Sequence, residues 1–196
     1  MSKFCPIINE KVLYTECLEC PEKICKGEIR MPAKKNILIV IDLQKQFADR
    51  TGEYERCLEF IEENKNKYDK IIGTVFSQNS ENKYNPNYSK HFQWDDCLNC
   101  SENDLEYVTE NVKVIKKTGY GSIELIDFLT KNYSKTDNIE IIGCDLDACV
   151  AAICFQLWDE GFENFKVLTN FCYSTSKFPK QDLVKVLRRN FGNCII

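Results

Sequence analysis

Residues 143–150, GCDLDACV, connect a short apolar run at 139–142 to a longer apolar stretch that continues to residue 159. The short run predicts a buried strand, and the longer one predicts a buried helix. The first backbone N–H groups of a helix lack partners, and the helix dipole there favours an anion. Because Cys149 lies at this strand-to-helix elbow, we expect its thiolate to be stabilised and its thiol pKa to be lowered.

The alternation of strand and helix continues on both sides of this segment. Short apolar runs predict strands near 36–42, 70–76, 112–116, 138–143, 165–169 and 193–196. Apolar residues at three- and four-residue spacing predict helices near 54–67, 122–132, 148–160 and 180–190. This alternation predicts a three-layer α/β/α fold, in which a six-stranded, mostly parallel sheet lies between two layers of helices.

Two segments interrupt the alternation. Residues 1–35 contain four cysteines and three prolines and show no sustained apolar period, so we expect a cysteine-rich appendage ahead of an α/β domain at 36–196. Residues 77–106 form a long polar interval within that domain, and loops of this length are usually functional. Ligands of open α/β sheets bind beyond the carboxyl ends of the strands. We therefore expect this interval to cover a pocket at that edge.

Three reactive side chains, Asp42, Lys117 and Cys149, each lie near the end of a predicted strand. A carboxylate, an ammonium group and a thiol at one edge of a sheet are suited to nucleophilic catalysis by cysteine. Each residue also has a plainer interpretation. Asp42 fits a turn or a helix cap, Cys149 fits a small core residue, and Lys117 competes with Lys116, which strand alternation places on the opposite face.

The motifs around these residues carry a family resemblance. Residues 39–47 (IVIDLQKQF) resemble the VIDxQNDF motif of the isochorismatase-like cysteine hydrolases, which include nicotinamidases. Residues 117–123 (KTGYGSI) are similar to the family's KxxYSAF segment, and residues 143–150 are similar to its GxxTDxCV segment. The three motifs occur in the family's order, and the similarity covers roughly residues 36–196. The resemblance implies an isochorismatase-like, Rossmann-like fold and a hydrolase of a small amide.

The resemblance also implies roles for individual residues. Cys149 would be the nucleophile, Asp42 the general base, and Lys117 the positive charge that stabilises both. A cis peptide between Cys144 and Asp145 would turn the backbone N–H groups of Asp145 and Cys149 toward the developing oxyanion. The candidate aromatic walls of the pocket are Phe47, Phe76, Trp94 and Tyr120.

The chain departs from the family at three places. Leu146 replaces the threonine of the nucleophile motif, and Lys45 and Gln46 replace the Asn-Asp pair. Nicotinamidases carry a metal-binding Asp-x-His cluster after the second strand, where this chain has residues 76–79 (FSQN). We therefore expect no metal there and no cofactor requirement for catalysis. Without that metal nicotinamide is a less favoured substrate, and no cluster of positive charge favours isochorismate.

The appendage contains a possible metal-binding set, Cys5, Cys17, Cys20 and Cys25, out of 12 cysteines in the chain. Cys17 and Cys20 form a CxxC chelate, and four thiolates can enclose a tetrahedral zinc ion. They can also hold an iron–sulfur cluster. We expect structural zinc ahead of iron–sulfur, with exposed reduced thiols as the alternative.

The bulk composition restricts the partners. The net charge is −4 and no block of basic residues is present, which argues against nucleic-acid binding. No apolar run reaches the roughly 18 residues of a membrane span, and the N-terminus lacks the apolar core of a signal peptide. We expect a cytoplasmic protein with a small-molecule substrate and no nucleic-acid or membrane partner. The family resemblance implies a homo-oligomer.

Two other classes of function stay open at this point. The surplus of cysteines would suit a metal-binding or redox-sensing protein on a hydrolase scaffold. The departures at Gln46 and Leu146 would suit an interaction module whose catalytic site is vestigial. Turnover of an amide would distinguish the hydrolase from both.

Overall fold

A computed structural model describes residues 2–5, 10–13, 33–48, 51–78 and 100–196. The chain divides into two compact units, Met1–Ala33 and Lys34–Ile196. In the first unit, strands β1 (Ser2–Cys5) and β2 (Glu10–Leu13) pair in antiparallel fashion. Cys5 is half-buried at the end of β1, with a free thiol. The other three cysteines of the predicted metal set, Cys17, Cys20 and Cys25, lie outside the described residues.

The second unit is built on a parallel sheet. Its strands are β3 (Asn36–Ile41), β4 (Lys70–Phe76), β5 (Val112–Lys117), β6 (Asn138–Gly143) and β7 (Phe165–Cys172). The strand order is β5-β4-β3-β6-β7, and all neighbours are parallel. The central strand β3 is buried along residues 37–41, as expected for a strand with helices on both faces.

The helices are α1 (Glu53–Asn64), α2 (Ile123–Asn132), α3 (Ala151–Asp159) and α4 (Lys180–Phe191). Side chains of β3 alternate between the two faces of the sheet. Ile37, Ile39 and Ile41 share a core cluster with buried residues of α2, α3 and α4. Leu38 and Val40 share the other cluster with residues of α1. The predicted three-layer α/β/α fold is confirmed.

The predicted sixth strand at 193–196 is wrong. Residues Gly192–Cys194 form a 3-10 turn, and only a single parallel bridge joins Ile195 to Val167 of β7. Five strands therefore make the parallel sheet within the described residues. The helix predicted at 148–160 also differs, because a π-helical turn at Leu146–Val150 precedes α3. Among the described helices, none has the length and apolar character needed to cross a membrane.

Candidate active site

Three predicted catalytic side chains meet at the carboxyl edge of the sheet. Asp42 follows β3, Lys117 ends β5, and Cys149 lies in the π turn after β6. The Lys117 Nζ atom is 2.7 Å from Asp42 Oδ2 and 3.2 Å from Cys149 Sγ. The side chains of Asp42 and Lys117 have no exposed surface, and Cys149 is 4% exposed. The neighbouring Lys116 is exposed, so strand alternation turns Lys117 alone into the site.

The Lys117 ammonium group is held by directed hydrogen bonds. It donates to the carbonyl oxygens of Gly119 at 2.7 Å and Tyr120 at 3.2 Å, and to Cys149 Sγ at 3.2 Å. Lys117 Nζ also forms a close ion pair with Asp42 Oδ2, and side-chain hydrogen bonds to Asp42 raise the pKa of both Lys117 and Cys149.

Asp42 is fixed by its neighbours in an unusual backbone conformation. Its φ is 45°, in the left-handed region that aspartate tolerates better than most residues. Its N–H donates to Thr74 Oγ1 at 3.0 Å, and the Thr74 hydroxyl donates to Asp42 Oδ1 at 2.7 Å. The Gln44 N–H donates to the Asp42 carbonyl oxygen at 2.8 Å. Thr74 thus leaves Oδ2 as the carboxylate oxygen that faces Lys117.

Thr74 and Gln44 support the site, and the sequence analysis did not identify either role. Gln44 is fully buried and bridges β3 to β4, because its amide donates to the Phe76 carbonyl at 3.1 Å and accepts from the Phe76 N–H at 2.6 Å. The sequence shows only that both residues are polar, Thr74 within the apolar run of β4 and Gln44 shortly after the apolar run of β3. Buried polar side chains need partners, and the sequence did not show which partners these would find.

The expectation of a lowered thiol pKa at Cys149 is wrong. Burial raises the pKa of Cys149 to about 12, and the Asp42 charge adds to the rise while Lys117 opposes it. Burial alone would lower the pKa of Lys117, but Asp42 and Cys149 raise it above its ordinary value. The physical reason is position, because Cys149 lies in a buried π turn beside a carboxylate rather than at a solvated helix start. The resting site is an Asp42–Lys117 ion pair beside a neutral thiol.

The nucleophile turn has a constrained backbone. The peptide between Cys144 and Asp145 is cis, as the family resemblance implied. Gly143 has φ 116°, and a Cβ atom there would lie 2.1 Å from the Ile41 carbonyl oxygen, so the position requires glycine. The Leu146 N–H donates to the Tyr173 carbonyl oxygen at 2.8 Å. No acceptor among the described residues bonds the Asp145 N–H, whose role in an oxyanion hole with the Cys149 N–H stays a prediction.

The predicted aromatic walls lie at different distances from the triad. The Phe76 ring is fully buried, and Lys117 Nζ lies 5.2 Å from its centroid. Phe47 is also buried, with its ring centroid 6.3 Å from that of Phe76. Tyr120 is half-buried. Together with Ala148 it lines a cavity of about 620 Å³ beside the nucleophile turn. Trp94 lies outside the described residues.

The departures from the family motifs have structural partners. Gln46 Nε2 donates to Asp104 Oδ1 at 2.7 Å, and Lys45 Nζ lies 3.1 Å from Glu106 Oε1. Both residues therefore hold the last residues of the long polar interval at 77–106. Leu146 is fully buried in the core.

At the position of the nicotinamidase metal cluster this chain has residues of other types. Ser77 and Gln78 follow Phe76, and Gln78 Nε2 donates to the Thr118 carbonyl oxygen at 2.7 Å. An aromatic ring, a hydroxyl and an amide that is donating do not fit the carboxylate and imidazole ligands of such a site. Within the part of the chain that the structure describes, no group of three or more His, Cys, Asp or Glu side chains is placed to hold a metal ion.

Comparison with known proteins agrees with this architecture. The family model described as "Isochorismatase domain" matches residues 36–195. The chain therefore belongs to the isochorismatase family, and it is a hydrolase of the isochorismatase-like class with an unassigned substrate. Comparison with curated protein sequences finds no match.

Several solved structures share the fold. An isochorismatase-like hydrolase from Alkaliphilus metalliredigens is 12% identical, with a TM-score of 0.62 over 83% of this chain and 94% of that one. A nicotinamidase/pyrazinamidase from Bacillus subtilis is 16% identical, with a TM-score of 0.62 over 82% and 98%. A pyrazinamidase of Pyrococcus horikoshii in complex with zinc is 20% identical, with a TM-score of 0.59 over 82% and 97%. At these identities the likeness establishes the fold alone.

Proposed function

We propose that the chain is a cysteine-dependent hydrolase that cleaves the C–N bond of a small amide through a thioester on Cys149. The observation that supports this most directly is the buried Lys117 ammonium group, which lies 2.7 Å from Asp42 Oδ2 and 3.2 Å from Cys149 Sγ. One ammonium group in contact with both allows a proton to move from the thiol to the carboxylate while the negative charge stays beside Lys117.

Acylation begins with this proton transfer. Cys149 gives its proton to Asp42 Oδ2, and the sulfur electron pair attacks the carbonyl carbon of the amide. The carbonyl oxygen becomes an oxyanion that accepts hydrogen bonds from the N–H groups of Asp145 and Cys149. Collapse of this intermediate breaks the C–N bond. Asp42 passes the proton to the leaving amine, and Cys149 is left as a thioester.

Deacylation uses the same groups with water. Asp42 accepts a proton from a water molecule, whose oxygen attacks the thioester carbon. The C–S bond breaks, the proton returns to Cys149, and the carboxylic acid leaves. The sum is one amide and one water converted to an acid and an amine. No cofactor enters either half-reaction, and the raised pKa of Cys149 keeps the thiol neutral between turnovers.

A panel of small primary and secondary amides tests the proposal, with release of ammonia or amine as the readout. The wild type should turn over at least one member, and Cys149→Ala and Asp42→Asn should abolish that turnover. Lys117→Met should also abolish it, whereas the matched variant Lys116→Met, on the exposed neighbour, should not. Turnover that survives Cys149→Ala would contradict the mechanism. An ester or enol ether is a less favoured substrate class for the same site.

We also propose a structural zinc ion for the appendage at 1–35, held by Cys5 with Cys17, Cys20 and Cys25. Purified wild type should contain about one zinc per chain, and Cys17→Ser with Cys20→Ser should lose it while amide hydrolysis persists. Iron in place of zinc would support the iron–sulfur alternative, and no metal would contradict both.

The cellular setting belongs to the proposal as well. We infer a cytoplasmic homo-oligomer that acts on a small molecule without a nucleic-acid or membrane partner. Light scattering at several protein concentrations tests the oligomeric state, and a mass equal to one chain throughout would contradict it.

A further inference from the structure

Asp145 occupies a helix-capping position but does not cap the helical turn. It precedes the π turn Leu146–Val150 with extended φ and ψ of −82° and 139°, and its side chain accepts no hydrogen bond from the turn. An aspartate at this position ordinarily accepts from the N–H of the second or third helical residue. Here both carboxylate oxygens bond Thr175 instead. The Thr175 N–H donates to Oδ1 at 2.8 Å, and its hydroxyl donates to Oδ2 at 2.7 Å.

The backbone of the nucleophile turn is already held by other bonds. Tyr173 donates its N–H to the Gly143 carbonyl oxygen at 3.1 Å and accepts the Leu146 N–H at 2.8 Å. These two bonds extend the pairing of β6 and β7 beyond the last strand pair, Gly143 with Cys172. The contact of Thr175 with Asp145 is therefore a bond to a side chain rather than the bond that places the main chain.

The restrained carboxylate lies next to amides that catalysis needs free. The Asp145 N–H meets no acceptor among the described residues, and the proposed function assigns it to the oxyanion. Aspartate side chains readily bond N–H groups of their own and nearby residues. Loss of the hydroxyl bond would free Oδ2, while the Thr175 N–H keeps its bond to Oδ1. The freed oxygen could then bond amides of the turn and bring negative charge closer to the oxyanion. Both effects would slow acylation.

We propose that Thr175 is a positioning residue that keeps the Asp145 carboxylate away from the oxyanion amides. This inference rests on the proposed function, because it assumes that Cys149 attacks a carbonyl group. It gives the contact between Thr175 and Asp145 a role beyond stability, because the threonine hydroxyl is needed only when residue 145 is an aspartate. Removing that carboxylate should make Thr175 dispensable.

Two chemical probes separate this role from thiol activation. With p-nitrophenyl acetate, the Cys149 thiolate displaces p-nitrophenolate through an oxyanion intermediate and becomes acetylated. With iodoacetamide, it displaces iodide at a saturated carbon, and no oxyanion forms. Rates for both should be measured for Thr175→Val, Thr175→Ser, Asp145→Ala and the double variant Thr175→Val/Asp145→Ala. Thr136→Val is the matched control, since Thr136 lies before β6 at the opposite edge of the sheet.

The expected pattern is specific to an effect through Asp145. Thr175→Val should lower the acetylation rate at least about tenfold while alkylation of Cys149 changes less than about twofold. Thr175→Ser, which keeps the hydroxyl, should restore acetylation. The double variant should acetylate faster than Thr175→Val alone. Thr175 is exposed, so the valine variant should fold, and its thermal unfolding checks this.

Three outcomes would overturn the inference. Acetylation of Thr175→Val at the rate of Thr136→Val would show that the hydroxyl has no catalytic consequence. If the double variant were acetylated more slowly than Thr175→Val, the Thr175–Asp145 contact would have only a structural role. The same would follow if Thr175→Val lost alkylation as strongly as acetylation. A wild type in which Cys149 is neither acetylated nor selectively alkylated would instead contradict the proposed function, and the two failures are thereby distinguishable.

Discussion

Replacing Lys117 by methionine leaves the Asp42 carboxylate buried without its counter-charge. Both side chains have no exposed surface, and their charged atoms are 2.7 Å apart. Removing one partner of a buried ion pair typically lowers the free energy of unfolding by about 3–5 kcal/mol. Lys117 also gives up bonds to the carbonyl oxygens of Gly119 and Tyr120. We therefore expect the loss of unfolding free energy in Lys117→Met to lie in the upper part of this range.

Urea unfolding at pH 7 measures this loss, with Lys116→Met as the control. Lys116 is exposed on the opposite face of β5, so its substitution should change the free energy of unfolding by less than about 0.5 kcal/mol. The double variant Asp42→Asn/Lys117→Met should be more stable than Lys117→Met, because it buries no unpaired charge. A loss in Lys117→Met no larger than that of the control would refute the buried ion pair.

Three further variants test other parts of the site. Thr74→Val removes both hydrogen bonds to Asp42 and should cost about 1–3 kcal/mol in urea unfolding, with Thr74→Ser close to wild type; equal losses would contradict this. Gly143→Ala should destabilise more than Gly161→Ala, which also has positive φ but open space at its Cβ, and the reverse order of melting temperatures would contradict it. The pKa of the Cys149 thiol is raised from 9.0 to about 12 in the folded state. Between these two pH values the folded protein keeps a proton that the unfolded chain loses. The stabilisation of the folded state by this group is therefore complete below pH 9 and disappears as the pH rises toward 12. Cys149→Ala should therefore lose stability less steeply than wild type above pH 9, by up to about 1.4 kcal/mol per pH unit, and identical slopes would argue against the raised pKa.

The three-layer fold was predictable because buried parallel strands are continuous apolar runs in the sequence. Residues 37–41 of β3 are all apolar, a pattern that favours a strand buried on both faces. The strand predicted at 193–196 was wrong, although these residues are apolar enough for a strand. Gly192, with φ 56°, instead starts a tight turn that leaves one bridge to β7.

The triad was predictable from local motifs, but its supports were not. Asp42, Lys117 and Cys149 each lie in a short segment with a recognisable pattern. Thr74 and Thr175 bond Asp42 and Asp145 across 32 and 30 residues of sequence, and a threonine alone does not indicate its partner. The direction of the Cys149 pKa shift depended on burial and on Asp42, which outweigh a helix terminus.

The most direct test of the central claim is to locate the acyl group after the protein is mixed with p-nitrophenyl acetate and quenched with acid. Peptide mass spectrometry should find one acetyl group, on Cys149, formed in a burst with p-nitrophenolate. The other buried thiols, such as Cys144 and Cys154, should stay unmodified because their raised pKa values are not opposed by a buried lysine. An acetyl group spread over several cysteines, or one that forms equally fast in Lys117→Met, would contradict a Cys149 nucleophile activated by Asp42 and Lys117.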